Sequence, residues 1–171
     1  MTPVVVGLDL SLTATGVADA TGTRTIRSGD LRGCDRFSWI ANDILGDGTV
    51  QAADLIVIEG PAYSRALGAG HHEAAGLWWH IAYRLTALGV PYVAIPPTTL
   101  KKYATGRGNA TKPDMRVALI KRAELDLRDD NQVDAWWLRA AGLDRLGSPL
   151  VELPKAQRDA LAKVDWPQVV I

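Results

Sequence analysis

Two short apolar runs, each closed by an acid, constrain this chain more than any other feature. They are Val4 to Asp9, built on Val4-Val5-Val6-Gly7-Leu8, and Asp54 to Glu59, built on Leu55-Ile56-Val57-Ile58. A strand with one wet face alternates apolar and polar residues, whereas an unbroken run suits a central strand covered on both faces. Such a sheet needs helices on each side, so the chain is expected to be an α/β protein. An acid that ends a buried strand lies at the carboxyl edge of the sheet, where open α/β folds carry their sites. Asp9 and Glu59 both meet that description.

The rest of the chain completes a mixed sheet. A polar turn from Leu10 to Thr15 leads to expected strands at Gly16–Ala20 and Thr23–Gly29, which at this spacing form an antiparallel meander with the first. A helix is expected over Asp35–Leu45. A longer one carries Ala74, Leu77, Trp78, Ile81, Leu85 and Leu88 at helical spacing and stops at Gly89. A strand follows at Tyr92–Ile95, then a turn of helix at Thr98–Tyr103. Thr111 caps a helix from Lys112 to about Glu124, and Pro113 fits its first turn. The last strong helix runs from Asp130 to Leu146, and the residues from Ser148 to Ile171 form a proline-punctuated tail expected to pack on the surface of one domain.

The length of 171 residues and the 47% hydrophobic content suit one domain with a real core. No apolar run approaches the roughly 20 residues of a membrane span. The first residues lack the pattern of a secretion signal. A cytoplasmic location, in a bacterial or phage-infected cell, is therefore expected. A single cysteine, Cys34, excludes an internal disulfide and a cysteine-built zinc site. Formal net charge is zero, but its distribution is uneven. Between Lys101 and Arg122 stand Lys101, Lys102, Arg107, Lys112, Arg116, Lys121 and Arg122 against Asp114 alone. Such a strip is either a solvated helix face or a grip for a phosphate backbone.

A third acid completes a pattern with chemical meaning. Asp134 stands one turn into an apolar helix, among Val133, Ala135, Trp136 and Trp137, where a charge is costly unless something pairs with it. Carboxylates drawn from distant segments are the usual protein ligands of magnesium, which keeps several waters and completes its shell with substrate phosphate. Two such ions about 4 Å apart activate a water and stabilise the leaving oxygen of an in-line displacement. Each acid taken singly is also compatible with a solvated strand end.

Four segments in series carry a family resemblance. Gly7-Leu8-Asp9-Leu10-Ser11-Leu12-Thr13-Ala14-Thr15-Gly16 resembles the first motif of RuvC-like Holliday junction resolvases, phage-borne members in particular, and Ile58-Glu59-Gly60-Pro61 resembles their second. Pro97-Thr98-Thr99-Leu100-Lys101 and Thr105-Gly106-Arg107-Gly108-Asn109-Ala110-Thr111-Lys112 resemble the stretch with two functional lysines. Asp130-Asn131-Gln132-Val133-Asp134-Ala135 resembles the C-terminal acidic motif. The resemblance implies an RNase H-like mixed sheet with helices on both faces, a homodimer, and magnesium- or manganese-dependent cutting of four-way DNA junctions with two ions per site. By the same resemblance Asp9, Glu59 and Asp134 are metal ligands, with Asp130 or Asn131 completing the site. It also implies that Lys101 and Lys112 contact phosphate and that Tyr63 meets the junction, and Lys102, Arg107 and Arg116 of the basic strip are expected to join them in binding DNA. Two departures stand out. Asn131 occupies a place that usually holds an acid or a histidine, and Tyr63, matched to a junction wedge, is one residue out of step.

His71, His72 and His80 lack companions at metal-site spacing and are expected to be exposed or packed. Of Trp78–Trp79 and Trp136–Trp137, at least one member of each pair is expected in the core or a dimer interface rather than stacked on bases. The long helix is the expected dimer interface. Competing functions are a nuclease for other branched DNA or for RNA, an inactive nucleic-acid-binding relative, and an actin-like nucleotide-binding protein. The last normally needs two domains of this kind.

Overall fold

A computed structural model describes residues 2–46, 48–61 and 70–169. In chain order these form β1 (Val5–Asp9), β2 (Ala14–Asp19), β3 (Gly22–Arg27), α1 (Gly33–Gly46), α2 (Gly48–Gln51), β4 (Leu55–Glu59), α3 (His71–Ala87), β5 (Tyr92–Ile95), α4 (Pro97–Thr105), α5 (Lys112–Ala123), α6 (Asp130–Arg145) and α7 (Lys155–Arg158), with a 3-10 turn at Asp159–Lys163. The five strands make one sheet in the order β3-β2-β1-β4-β5. The β1–β2–β3 meander is antiparallel, and β4 and β5 add in parallel to β1.

The unbroken apolar runs behave as expected of doubly covered strands. Alternation of the pleat sends Val6, Leu8, Ile56 and Ile58 to one face, where they meet Ile40 and Ile44 of α1 and Leu77, Ile81 and Leu85 of α3. It sends Val5, Leu55 and Val57 to the other, against Trp137, Leu138 and Ala141 of α6. The first layer is latched by buried Arg36 of α1, which bonds the Leu31 carbonyl at 2.7 Å and Glu73 of α3 at 3.2 Å. In the second, Trp137 is fully buried and donates its indole N–H to the Met115 carbonyl at 3.3 Å. Removing about 200 Å² of such a ring from water contributes roughly 5 kcal/mol of transfer free energy.

β2 begins at Ala14, earlier than expected, because Thr15 is not a turn residue. It is fully buried, and its hydroxyl donates to the Ser11 carbonyl at 2.8 Å while accepting from the Ser11 N–H at 3.1 Å. That clasp fixes the loop that follows Asp9. α4 is longer than the expected single turn, with Pro97 at its start, where a missing N–H costs nothing. α5 begins as expected: Thr111 and Asp114 form a reciprocal capping box.

The segment after Ser148 packs on α4 and α6. Gln157 donates to the Tyr103 carbonyl at 2.9 Å, and Arg158 binds the buried Asp144 carboxylate, which also accepts from the Tyr103 hydroxyl at 3.2 Å. Burial, and then the Asp144 charge, push the Tyr103 phenol well above its ordinary pKa, so it stays a donor. This cluster anchors the helix that carries Lys101. Among the described residues, no helix is long and apolar enough to cross a membrane.

Candidate active site

The pleat that buries Val5 and Val57 also places Asp9 and Glu59, four and two residues further along the same faces, on the α6 side of the sheet. The parallel register pairs Leu8 with Ile58, so the two acids follow side by side at the strand ends. α6 reaches them because two glycines let its backbone lie directly on the strands. A Cβ on Gly7 would stand 2.1 Å from the Ala135 carbonyl oxygen, and one on Gly16 would stand 2.0 Å from that of Asn131. Ala135 immediately follows Asp134, so this close approach delivers the third acid to the first.

The electrostatics record the convergence. Asp9 is 8% exposed. Burial holds its carboxyl well above the usual carboxylate range, and the charges of Glu59 and Asp134 and a hydrogen bond to Glu59 push the same way, against the pull of Lys112. Asp134 is pushed up to about 6, first by burial and also by Asp130, while Lys112 and Lys101 hold it down. Three acids and two lysines thus share one field. Among the described residues no three His, Cys, Asp or Glu side chains are arranged as a ready metal cluster.

Other expected site residues take more varied positions. Lys112 pairs with Asp130 at 3.3 Å, Arg107 with Asp114 at 3.2 Å, and Arg116 with Asp126 through Nε at 2.8 Å and Nη2 at 2.5 Å. The basic strip is therefore partly neutralised, by Asp114 within it and by Asp126 and Asp130, which lie beyond Arg122 and outside that charge count. Lys102 is exposed. Asp130 is not the cap of α6: Asp129 is, its Oδ1 accepting from the Asn131 backbone N–H at 3.0 Å and from the Asn131 side chain at 3.1 Å. The other Asp129 oxygen accepts from Thr25 of β3 at 2.8 Å, and Gln132 bridges Thr23 and Thr25. The start of α6 is thus pinned to the edge of the meander. Tyr63 lies outside the described residues.

The tryptophans divide as expected. Trp136 and Trp137 are core, whereas Trp79 is 66% exposed. Trp78, half-buried, donates to the Glu59 carbonyl at 3.1 Å and so steadies the end of β4. His80 is half-buried beside Phe37, its Nε2 enclosed with no hydrogen-bond partner among the described residues. The sequence reading missed Gly7, Gly16, Trp78 and the Thr25–Asp129 contact. Gly7 stands two residues before Asp9 and therefore on its face of the strand, but nothing local in the sequence marks the helix that it meets.

No protein-family model matches the sequence, and no curated protein matches it. Solved structures do match. Thermus thermophilus RuvC aligns with a TM-score of 0.67 over 87% of this chain and 99% of its own, at 17% identity. T. thermophilus RuvC in complex with Holliday junction substrate gives 0.68 over 88% and 98%, also at 17% identity. The fold is the RNase H-like fold of RuvC. The meander, the two parallel strands and the covering helices expected from the sequence belong to it throughout.

Proposed function

We propose that this chain is a divalent-metal-dependent endonuclease that hydrolyses phosphodiesters in branched DNA, four-way junctions first, as a phage-borne member of the RuvC-like resolvases. The observation that carries this reading is the convergence of Asp9, Glu59 and Asp134 from β1, β4 and α6 within the field of Lys101 and Lys112. The RuvC fold and the solved junction complex of the Thermus protein support it.

The donor set fits magnesium or manganese. It consists of hard carboxylate oxygens, with no cysteine or histidine among them, and its members raise one another's proton affinity in a way that a divalent cation relieves. Asp9, Glu59 and Asp134 would hold the metal, with Asp130 or Asn131 as the fourth contributor. When bound, two ions would supply an activated water and stabilise the leaving oxygen. Lys112 and Lys101 lie where the charge of the scissile and neighbouring phosphates must be met. Lys102, Arg107 and Arg116 extend that surface along the DNA backbone. Incubation with labelled four-way junction, fork, linear duplex and RNA–DNA hybrid in magnesium tests the substrate class. Junction incision at least ten times faster than duplex incision is expected, and equal cutting of all four substrates would refute the structure selectivity.

Asp130 is the charged choice for the fourth contributor. Its pair with Lys112 is half exposed, and such pairs contribute about 0–1 kcal/mol, so Asp130→Asn should leave stability nearly unchanged. It should raise the magnesium needed for half-maximal cutting more than Asn131→Ala does. A variant that loses thermal stability yet cuts normally across a magnesium titration would contradict this.

Paired nicking of a two-fold symmetric junction suits a C2 dimer. The outer face of α3 presents Trp79, 66% exposed, and Tyr83, 71% exposed, one turn apart, an aromatic surface suited to a second copy of the chain. Sedimentation should show a dimer that Trp79→Ala with Tyr83→Ala converts to monomer. A wild-type monomer both free and on DNA would exclude this interface.

A further inference from the structure

α5 has a second apolar face with no role in the core. Met115 and Leu119 point inward and are buried. On the outer side Pro113, Val117 and Ile120 recur at i, i+4 and i+7, with Val117 46% and Ile120 40% exposed. A single exposed apolar residue is ordinary, but three in line on an otherwise basic helix are not. Together with Lys112, Arg116 and Asp130 they line a groove of about 310 Å³, near the lower end of the roughly 300–1,000 Å³ typical of small-ligand pockets.

Two features decide what such a groove can hold. Lys112 lines it and also lies in the field of Asp9 and Asp134, so the groove and the proposed active site share this lysine. Arg116 lines it with its guanidinium already held by Asp126, so its position costs no further ordering. An apolar floor beneath fixed cations does not suit a bare phosphate backbone, which needs only charge. It suits a nucleotide, whose base and sugar have apolar faces and whose phosphate is anionic.

We propose that the groove receives one unstacked nucleotide from the branch point, its base or sugar against Val117 and Ile120 and its phosphate at Lys112. This rests on the branched-DNA reading and gives it a source of selectivity. Unstacking is least costly for nucleotides already unpaired or strained, so the apolar contact rewards a branch and not a continuous duplex.

The test uses the full-length chain in chelator, where binding is separated from cutting. A four-way junction carries 2-aminopurine at each crossover-flanking position in turn, and its binding is compared with that of linear duplex. With wild type, fluorescence should rise several-fold at one flanking position. In Val117→Ser with Ile120→Ser the rise should disappear and junction affinity fall ~10-fold, as for loss of one base contact, while duplex affinity stays within about two-fold. Matching unfolding curves for the two proteins establish that the variant is folded. An unchanged fluorescence rise, a parallel fall in junction and duplex affinity, or a variant altered only in self-association would each overturn the proposal. Wild type binding junction no better than duplex would instead remove the reading beneath it.

Discussion

Asp134→Asn should make the metal-free protein more stable and abolish cutting. In the fold the Asp134 carboxyl is pushed up to about 6, mainly by burial, whereas an unfolded aspartate titrates near 3.9. The native state therefore holds this proton more tightly than the unfolded state does. Stability from this group is present below about pH 4, falls as pH rises from about 4 to 6, and is fully lost above that. At 1.36 kcal/mol per unit, ionised Asp134 costs the fold on the order of 3 kcal/mol near neutral pH, and an uncharged amide avoids that cost. Asp9 is shifted in the same direction by burial and by its acidic neighbours. In chelator at pH 7.5 the variant should gain about 2–3 kcal/mol in urea unfolding, and the gain should vanish near pH 4. Added magnesium should stabilise wild type and not the variant. A variant less stable than wild type at pH 7.5, or a difference independent of pH, would show that the ionised Asp134 carboxylate is not held against the cost of its burial.

Gly16→Val should disable the protein by a different route. The new Cβ would lie 2.0 Å from the Asn131 carbonyl oxygen, a backbone atom that no rotamer can move aside. α6 must lift from β2, loosening the layer that buries Trp137 and carrying Asp134 away from Asp9. Overpacking typically costs about 1–3 kcal/mol and occasionally more, and this contact, made with backbone, belongs at or above the top of that range. A displacement of about 1 Å at a reacting centre can cost ~100-fold in rate, so cutting should be lost even where the fold survives. Gly7→Ala meets the Ala135 carbonyl oxygen at 2.1 Å and should behave alike. Gly46→Ala is the control: its Cβ meets no atom of the described residues within 4 Å, and both stability and cutting should stay near wild type. Thermal unfolding and single-turnover rates of the three variants distinguish a packing effect from a general intolerance of glycine replacement.

These two variants also mark what the sequence made legible. Asp9, Glu59 and Asp134 were readable because each is an acid set in an apolar run, and the cost of burying such a charge points to a function. The strands and main helices were readable from periodicity, since each buried face follows a local pattern. Gly7 and Gly16 were not, because their meaning lies in contact with Ala135 and Asn131, more than a hundred positions away, and glycine leaves no mark on a hydrophobic pattern. The pairing of Lys112 with Asp130, and of Arg116 with Asp126, was hidden for the same reason. A count of charges along one helix does not register the acids that the next segment folds against it. Thr15 reads as a turn residue by its type, and only the cover of α6 over β2 makes it part of a buried strand.

The most direct test of the account is incision of a strand-labelled four-way junction by the wild-type protein across a titration of free magnesium. The account predicts no product in excess chelator, saturable cutting as magnesium rises, and paired nicks on opposed strands. Turnover that persists in chelator would contradict it.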